Sequence, residues 1–483
     1  MKVNELLNHR KTQWKSIWIS YMVQSLTGIQ VSIFYTSMWP YLNSIDPHAD
    51  LSFFGWIIAS FNIGQMMSSW TFGYWNQKTM STRYPVSCGL VFMAVGNFIY
   101  GLLPIFSDNR QWFMLLARFT VGFGSGNLIV LRTYCATATS EKDRTKAVSL
   151  AIGAFVGGLS MGPVLQALFT PIGKKGFSLG VIVLNMYTTP ALLMVLISNA
   201  AIFMLFAFFE ENYAGILSVD KRSWYSIKTH FNAFIVIPKF DKVPALICMY
   251  LWFTVQCIST NVEVIATPLT ISLYKWTDTQ AVFYNGLLLF ISCILSVLNY
   301  LVLAYTFIGQ IDKRKLMIFS FLCFLLYHLF VFPWPFYDGP LDYVEIDTSL
   351  HGGCFRKYKW CSHTTKVPLT AYILCFTIIF GFAFPYLAGP VGTIFSQILG
   401  PRKQGIMQGL FELGGCIARC VAPIILTILF ESSGYLWSTI SHIIMLLIGL
   451  FLLIIFYKRI VPLKVVPEIG VPTVYKSGVF YRL

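Results

Sequence analysis

Twelve long apolar segments constrain the fold of this sequence more than any other feature. About 20 apolar residues in a helix cross the roughly 30 Å of hydrocarbon in a bilayer. Of the 483 residues, 56% are hydrophobic and only 11% are charged, whereas soluble chains carry about 25% charged residues. We therefore predict an all-α membrane protein with twelve transmembrane helices at about 17–41, 52–75, 84–106, 111–133, 147–170, 187–209, 244–270, 280–306, 316–334, 369–399, 404–430 and 435–457.

The positions of the lysines and arginines predict the orientation of these spans. Most of the 35 basic residues lie in segments on the same side as the N-terminus, and basic loops tend to stay in the cytosol. Both termini are therefore predicted to be cytosolic, and the net charge of +15 reflects topology rather than a nucleic-acid partner. The predicted parts are an N-terminal six-helix half (1–209), a cytosolic linker (210–243), a C-terminal six-helix half (244–457) with a luminal loop (335–368), and a cytosolic tail (458–483).

Two six-helix halves joined by a cytosolic linker are the layout of the major facilitator fold, although an unrelated twelve-helix bundle would give the same count. Local motifs favour the first interpretation. The turn after the second span resembles the cytosolic latch of major facilitators, with Gln77 where those proteins carry an acid. The matching turn of the second half retains its acid. The residues assigned to this latch are Gly73, Lys78, Arg83 and Asp312.

The fourth predicted span, QWFMLLARFTVGFGSGNLIVLRT (111–133), carries Arg118 well inside its ends. A charge at that depth costs a few kcal/mol or more, which makes it a candidate functional residue; the alternative is an arginine that braces two helices. The segment resembles the fourth-helix motif of proton-coupled major facilitators, and the fifth span resembles a glycine-proline motif of exchangers. Because small residues permit close helix contacts, the following residues are assigned to helix packing or gating: Gly122, Gly124, Gly126, Gly158, Gly162 and Pro163.

The seventh predicted span contains Glu263, roughly 9 Å from the luminal end of its helix at 1.5 Å per residue. Arg118 lies at about the same depth in the other half, and the corresponding helices line the central cavity in the major facilitator fold. The two residues are therefore predicted to face each other, either as a salt bridge that closes the luminal side or as a proton or substrate site. Pro268, one turn later, is predicted to break the helix and expose backbone carbonyl groups.

The eleventh predicted span contains Glu412 and Arg419, seven residues apart and hence on one helix face. We assign both to the cavity, although a structural role is as well supported as a functional one. The sequence holds no histidine and cysteine cluster at zinc spacing, no Walker loop and no recognisable nucleophile with its base. We therefore predict no metal, no cofactor and no enzymatic activity.

Cys354 and Cys361 are the two of the eleven cysteines that lie in a predicted luminal loop. An oxidising lumen permits a disulfide between them; two free thiols are the alternative. The other nine lie in apolar spans, where cysteine packs as a small apolar residue.

Longer strings extend the resemblance to one family. SMWPYL, FFGWIIASFNIGQM, RTYCATATSEKDRT, NMYTTP, VEVIATPLT and ILGPRKQG resemble the major facilitator superfamily domain-containing protein 8 family, also called ceroid-lipofuscinosis neuronal proteins, and the resemblance runs from about Trp14 to Tyr457. It implies a multi-pass protein of the late-endosomal or lysosomal membrane with an unsettled cargo, a chloride-type anion conductance being one proposal. The chain departs from that expectation in having no Asn-X-Ser/Thr glycosylation site.

These observations lead to one functional prediction and two alternatives. The prediction is a lysosomal or endosomal secondary transporter of a small anionic solute, linked to protons, with membrane lipid as its surroundings. Arg118 and Arg419 would provide positive potential and Glu263 a proton-sensitive carboxylate. The alternatives are a chloride-type anion channel on the same fold and a membrane scaffold that transports nothing. The sequence specifies neither the cargo nor the oligomeric state.

Overall fold

A computed structural model of the chain describes residues 12–34, 37–46, 51–106, 108–140, 142–173, 175–179, 182–214, 240–341, 343–344, 353–355, 358–463, 473–476 and 479–482. Most of the linker predicted at 210–243, and part of the tail predicted at 458–483, lie outside these residues. The described residues are mainly helical, with three short two-stranded sheets.

The described residues of the N-terminal part form eight α-helices and one short hairpin. The strands β1 (Phe177–Leu179) and β2 (Ile182–Leu184) pair antiparallel between α7 and α8, with Ser178 opposite Val183. The helices are α1 (Trp14–Ser32), α2 (Met38–Ile45), α3 (Leu51–Thr79), α4 (Arg83–Gly101), α5 (Arg110–Ser125), α6 (Asn127–Thr137), α7 (Arg144–Leu168) and α8 (Thr188–Phe208).

In the C-terminal part, seven further α-helices lie within the described ranges. The strands β3 (Tyr343–Val344) and β4 (Cys354–Phe355) pair in parallel, and β5 (Thr473–Lys476) pairs antiparallel with β6 (Val479–Arg482). A π-helical turn at Cys375–Ile379 joins α12 to α13 into one long helix. The helices are α9 (Lys242–Tyr274), α10 (Asp278–Tyr305), α11 (Lys313–Val331), α12 (Leu369–Leu374), α13 (Phe380–Leu399), α14 (Gly405–Ser433) and α15 (Tyr435–Ile455).

Long helices occupy the positions of all twelve predicted spans. Ten of the described helical segments are long and apolar enough to cross a membrane. The other two positions hold α1 and α3, which are long but more polar. The first predicted span differs from the structure, because α1 ends at Ser32 and a separate helix α2 begins at Met38. Pro40 has no N–H group and lies in the first turn of α2, the part of a helix where a missing donor is tolerated.

The helices form two compact units. Unit 1 comprises Met1–Met249, Val391–Leu413 and Phe456–Leu483, and unit 2 comprises Tyr250–Pro390 and Gly414–Ile455. The end of α13 and the start of α14 therefore belong to the unit that contains α1 to α8.

Glycines allow very close helix contacts in unit 1, where α1 packs on α7 and α5 packs on both α3 and α4. A Cβ atom added to Gly122 would overlap the backbone of Phe61, and one added to Gly158 would overlap the backbone of Ser25. Backbones this close are typical of helix packing in lipid. The other assigned glycines make the same kind of contact: Gly124 with Gly89 and Met93, Gly126 with Ser68, and Gly162 with Ser32. Pro163 lies inside α7, beside Gly162.

Polar residues of α1 are buried in unit 1, and Gln30 finds hydrogen-bond partners on two other helices. The Gln30 amide nitrogen donates to Ser198 Oγ at 2.9 Å, and its amide oxygen accepts from Asn97 Nδ2 at 2.8 Å. These bonds connect α1 to α4 and α8 inside the bundle. Paired polar groups explain why a helix this polar can lie at a membrane-spanning position.

In unit 2, α11 packs on α15, and the π turn packs on α10 and α11. The predicted helix break at Pro268 is wrong, because α9 runs without interruption from Lys242 to Tyr274. Two hydroxyl groups near this proline donate hydrogen bonds to backbone carbonyl oxygens of the same helix. Ser272 Oγ donates to the Pro268 carbonyl oxygen at 2.9 Å, and Thr270 Oγ1 donates to the Ala266 carbonyl oxygen at 2.8 Å. Membrane helices tolerate a proline in their interior.

The loop predicted at 335–368 is held to unit 2 by several contacts. Cys354 and Cys361 form a disulfide, with their Cα atoms 6.4 Å apart. Trp360 is buried and packs against Phe430, the two ring centroids being 5.3 Å apart. Tyr435 also donates a 2.7 Å hydrogen bond to the loop, at the Thr365 carbonyl oxygen.

Candidate functional site

Arg118 lies inside unit 1 with only 2% of its surface exposed. It projects from α5, and its guanidinium carbon lies 4.8 Å from the Phe61 ring centroid and 5.8 Å from the Phe34 ring centroid. Aromatic faces attract a cation, more strongly where water is excluded. This contact stabilises a charge that would otherwise be costly to bury.

A second arginine of the same predicted span is partly buried and forms an ion pair. Arg132 Nη1 on α6 lies 2.7 Å from Glu412 Oε2 on α14, and both residues belong to unit 1. The Glu412 side chain is only 2% exposed and that of Arg132 15%. Removing one partner of such an ion pair strongly destabilises the folded protein, because the other charge is left without compensation.

Arg419 has its contacts in unit 2. Its Nη1 atom donates to Gln256 Oε1 on α9 at 3.0 Å, and its Nη2 atom donates to Cys416 Sγ at 3.2 Å. Glu263 lies seven residues beyond Gln256, on the same face of α9, and its charge interacts with that of Arg419. The Glu263 side chain is exposed at the surface of α9.

The latch residues predicted in the first half lie at two different contacts, of which the first joins α3 to the start of α14. A Cβ atom on Gly73 would lie 2.6 Å from the Gly405 carbonyl oxygen. Gln77, at the position where an acid was expected, accepts a hydrogen bond from the Ile406 backbone nitrogen at 2.7 Å. Lys78 is exposed, with its ammonium group 6.0 Å from the Tyr74 ring centroid.

The second contact joins the start of α4 to the segment after α8. The Glu211 Oε1 atom accepts from the backbone nitrogens of Thr82 and Arg83 at 2.9 and 2.6 Å. Arg83 in turn donates from Nη2 to the Phe209 carbonyl oxygen. In the matching turn of the second half, Asp312 caps α11 by accepting from the Arg314 backbone nitrogen at 3.0 Å and also pairs with the Arg314 guanidinium.

The structure thus groups the predicted residues differently from the sequence interpretation. Glu412 and Arg419, which were assigned together, have separate partners, Arg132 and Gln256. Arg132 was visible as a charge near the end of a span but had been given no role. The role of Gln256 as the partner of Arg419 was not predicted, because a neutral amide within a membrane span is a much weaker signal than a charge. That Arg118 and Glu263 face each other remains a prediction.

The described residues contain no group of three or more histidine, cysteine or acidic side chains placed to hold a metal ion. The site instead consists of arginines and carboxylates on membrane-span helices that contain glycine and proline. Charged residues within long apolar helices are typical of polytopic membrane proteins that provide a path for an ion or a substrate.

Sequence comparison identifies the family. Residues 20–346 match the family model of the Major Facilitator Superfamily. The chain is 31% identical over 480 residues to the Major facilitator superfamily domain-containing protein 8 of Xenopus laevis, which covers 94% of this chain and 92% of the relative. This chain therefore belongs to the major facilitator superfamily, as its local motifs predicted.

Solved structures have the same fold. The human organic anion transporter MFSD10 aligns with a TM-score of 0.64 at 13% identity, covering 91% of this chain and 99% of that one. The proton:xylose symporter XylE aligns with a TM-score of 0.63 at 14% identity, covering 94% and 96%. The transporter FucP, in the outward conformation, aligns with a TM-score of 0.62 at 13% identity, covering 91% and 99%. The predicted major facilitator fold is confirmed.

Proposed function

We propose that this chain is a proton-linked secondary transporter of a small anionic solute in the late-endosomal or lysosomal membrane. The observation that carries the proposal is the group formed by Gln256, Glu263 and Arg419 in unit 2. The charge of the Glu263 carboxylate interacts with that of the Arg419 guanidinium, and the two groups come from two membrane-span helices. Charged residues at such positions are costly and usually mark the path of an ion or a proton.

The chemistry of this group can couple a proton to an anion. While Glu263 is ionised, its carboxylate competes with any anion for the positive charge of Arg419. Protonation of Glu263 removes that competitor, so proton binding strengthens anion binding, and by thermodynamic reciprocity anion binding strengthens proton binding. Gln256 accepts a hydrogen bond from Arg419 and so orients the guanidinium group.

The pair of Arg132 and Glu412 supplies the second element of the proposal, a gate. The pair and the contact of Gln77 with Ile406 both fasten the start of α14 to helices of unit 1. We name the residues Gly73, Gln77, Arg132, Gly405, Ile406 and Glu412 the clasp. The clasp lies near the helix ends that are predicted to be cytosolic, where a transporter must close during part of its cycle.

Two solved structures with this fold support the proposed coupling of an anion to a proton in general terms. MFSD10 is described as an organic anion transporter and XylE as a proton:xylose symporter, so this fold accommodates an anionic cargo as well as proton coupling. The late-endosomal or lysosomal placement follows from the resemblance to the domain-containing protein 8 family. Imaging a tagged full-length chain against lysosomal markers tests that placement.

The test of the coupling group is flux at different pH values. The purified chain is reconstituted in liposomes, and uptake of radiolabelled chloride or lactate is measured after a jump in external pH. Glu263→Gln is expected to lose the pH dependence, whereas Glu431→Gln, an exposed carboxylate on α14, keeps it. An unchanged pH dependence in Glu263→Gln would exclude Glu263 from coupling.

The two alternatives give different outcomes in the same liposomes. An anion channel would produce currents much larger than carrier turnover allows, driven by the chloride gradient alone. A scaffold would produce no flux, and neutralising Arg118 or Arg419 would change only the yield of folded protein.

A further inference from the structure

We infer that unit 1 contains a small-anion binding site formed by Arg118 and the hydroxyl groups of Tyr41, Tyr100 and Tyr187. The inference rests on the proposed function, since it assigns Arg118 to the binding of the anionic cargo. The ligand is a small monovalent anion that accepts hydrogen bonds, either a halide or the carboxylate of an organic solute.

The four side chains form one connected cluster. The Tyr41 ring stacks on the Tyr187 ring with centroids 4.8 Å apart and lies 5.3 Å from the Tyr100 ring. Tyr100 lies 4.3 Å from Phe34, the ring that Arg118 contacts. The Tyr100 oxygen is within electrostatic range of Tyr41, Tyr187 and Arg118. Four different parts of the chain, α2, the end of α4, α5 and the residue before α8, contribute to it.

The tyrosine hydroxyl groups point to a ligand. Each of the three tyrosines is only 1% exposed. Among the residues that the structure describes, none of the three hydroxyl groups has a hydrogen-bond partner. A buried polar group without a partner is costly, and folded proteins usually avoid it. The three hydroxyl groups without partners, in a cluster that includes a cation, are explained if all three donate hydrogen bonds to one bound anion.

The charge and the donors match an anion rather than a neutral or cationic ligand. A phenol hydroxyl group donates one hydrogen bond, and guanidinium donates several and carries a fixed positive charge. Hydrogen bonds to a charged acceptor are about twice as strong as neutral ones. The position of Tyr187 is also fixed, because Asn185 Oδ1 accepts from the backbone nitrogens of Tyr187 and Thr188 at 2.8 and 2.9 Å.

The site is tested by anion-dependent thermal stability of the purified full-length chain. Melting temperature is measured with increasing chloride and, in a second arm, with increasing lactate, while HEPES holds the ionic strength constant. We expect a saturable rise in melting temperature in at least one arm. A rise with chloride alone identifies a halide site, and a rise with lactate identifies a carboxylate site.

Three tyrosine variants locate the site. Tyr100→Phe and Tyr41→Phe each remove one donor, and the half-saturating anion concentration is expected to rise about tenfold or more. Without anion both variants should be as stable as the parent, because each loses an unsatisfied hydroxyl group. Tyr134→Phe is the matched control: its hydroxyl group is bonded to the Glu210 carbonyl oxygen at 3.1 Å, so the anion response should not change.

Two results would overturn the inference. One is the absence of any anion-dependent rise in melting temperature in the parent chain. The other is an unchanged half-saturating concentration in both Tyr100→Phe and Tyr41→Phe. A failure of the proposed coupling is read separately, from an unchanged pH dependence of flux in Glu263→Gln, whereas the tyrosine site is judged only by the half-saturating anion concentrations of the parent and the tyrosine variants.

Discussion

Neutralising Glu412 should open the clasp. Glu412→Gln keeps the shape and one oxygen acceptor but places a neutral amide beside the Arg132 guanidinium. The ionic part of their 2.7 Å contact is then lost. The first turns of α14, which the clasp fastens to unit 1, are therefore expected to separate from α6 more often.

The size of the effect follows from the burial of the pair. Removing one partner of a buried ion pair costs about 3–5 kcal/mol. Because the Arg132 side chain is 15% exposed and glutamine retains an acceptor, we expect about 2–3 kcal/mol. At 1.4 kcal/mol for each factor of ten, local opening becomes roughly 30- to 150-fold more frequent.

Hydrogen exchange measures this opening directly. Amides in a peptide covering 405–413, including that of Ile406, should exchange faster by the same factor, while peptides from α8 keep their rates. Glu431→Gln is the matched control on the same helix. The double variant Arg132→Gln with Glu412→Gln should exchange more slowly than Glu412→Gln alone, because no buried charge is left beside a neutral partner. Equal exchange in Glu412→Gln and Glu431→Gln would refute the assignment of the clasp.

Three further predictions concern helix packing, helix capping and the disulfide. Gly122→Ala should lower the stability of unit 1 by about 1–3 kcal/mol through overpacking against the Phe61 backbone, seen as a lower melting temperature. Gly286→Ala has open space around its added Cβ atom and should leave that temperature unchanged or raise it. Glu211→Ala removes the acceptor for two backbone amides at the start of α4 and should speed their exchange roughly fivefold, for a cost of about 1 kcal/mol; unchanged rates would contradict the capping role. Alkylation of the unfolded chain should modify two more cysteines after reduction than before it, and Cys354→Ser should abolish this difference by releasing the disulfide partner.

The positions of the helices could be predicted from the sequence, because a membrane imposes a minimum length and an apolar composition on each helix that crosses it. The helix bounds follow the predicted spans closely, and the similarity of the latch turns to those of major facilitators predicted the fold. The break between α1 and α2 was missed because the apolar composition continues across it. The break predicted at Pro268 was wrong, since a membrane helix can run through a proline when neighbouring groups satisfy its backbone.

The pairing of charges could not be predicted from the same information. Arg132 and Glu412 are separated by 280 positions, and only the packed structure brings them into contact. Spacing along one helix grouped Glu412 with Arg419, although each has its partner on another helix. The tyrosines near Arg118 were overlooked for a related reason: aromatic residues are common in membrane helices, and a missing hydrogen bond is visible only in three dimensions.

Uphill transport is the most direct test of the central claim that this chain couples an anion to protons. Liposomes containing the purified chain receive an imposed pH gradient with the membrane voltage clamped, and radiolabelled chloride or lactate is present at equal concentrations on both sides. Our account predicts accumulation of one of these anions above its equilibrium level, together with proton movement, and loss of that accumulation in Glu263→Gln. Anion movement that only follows its own gradient, whatever the pH difference, would contradict it.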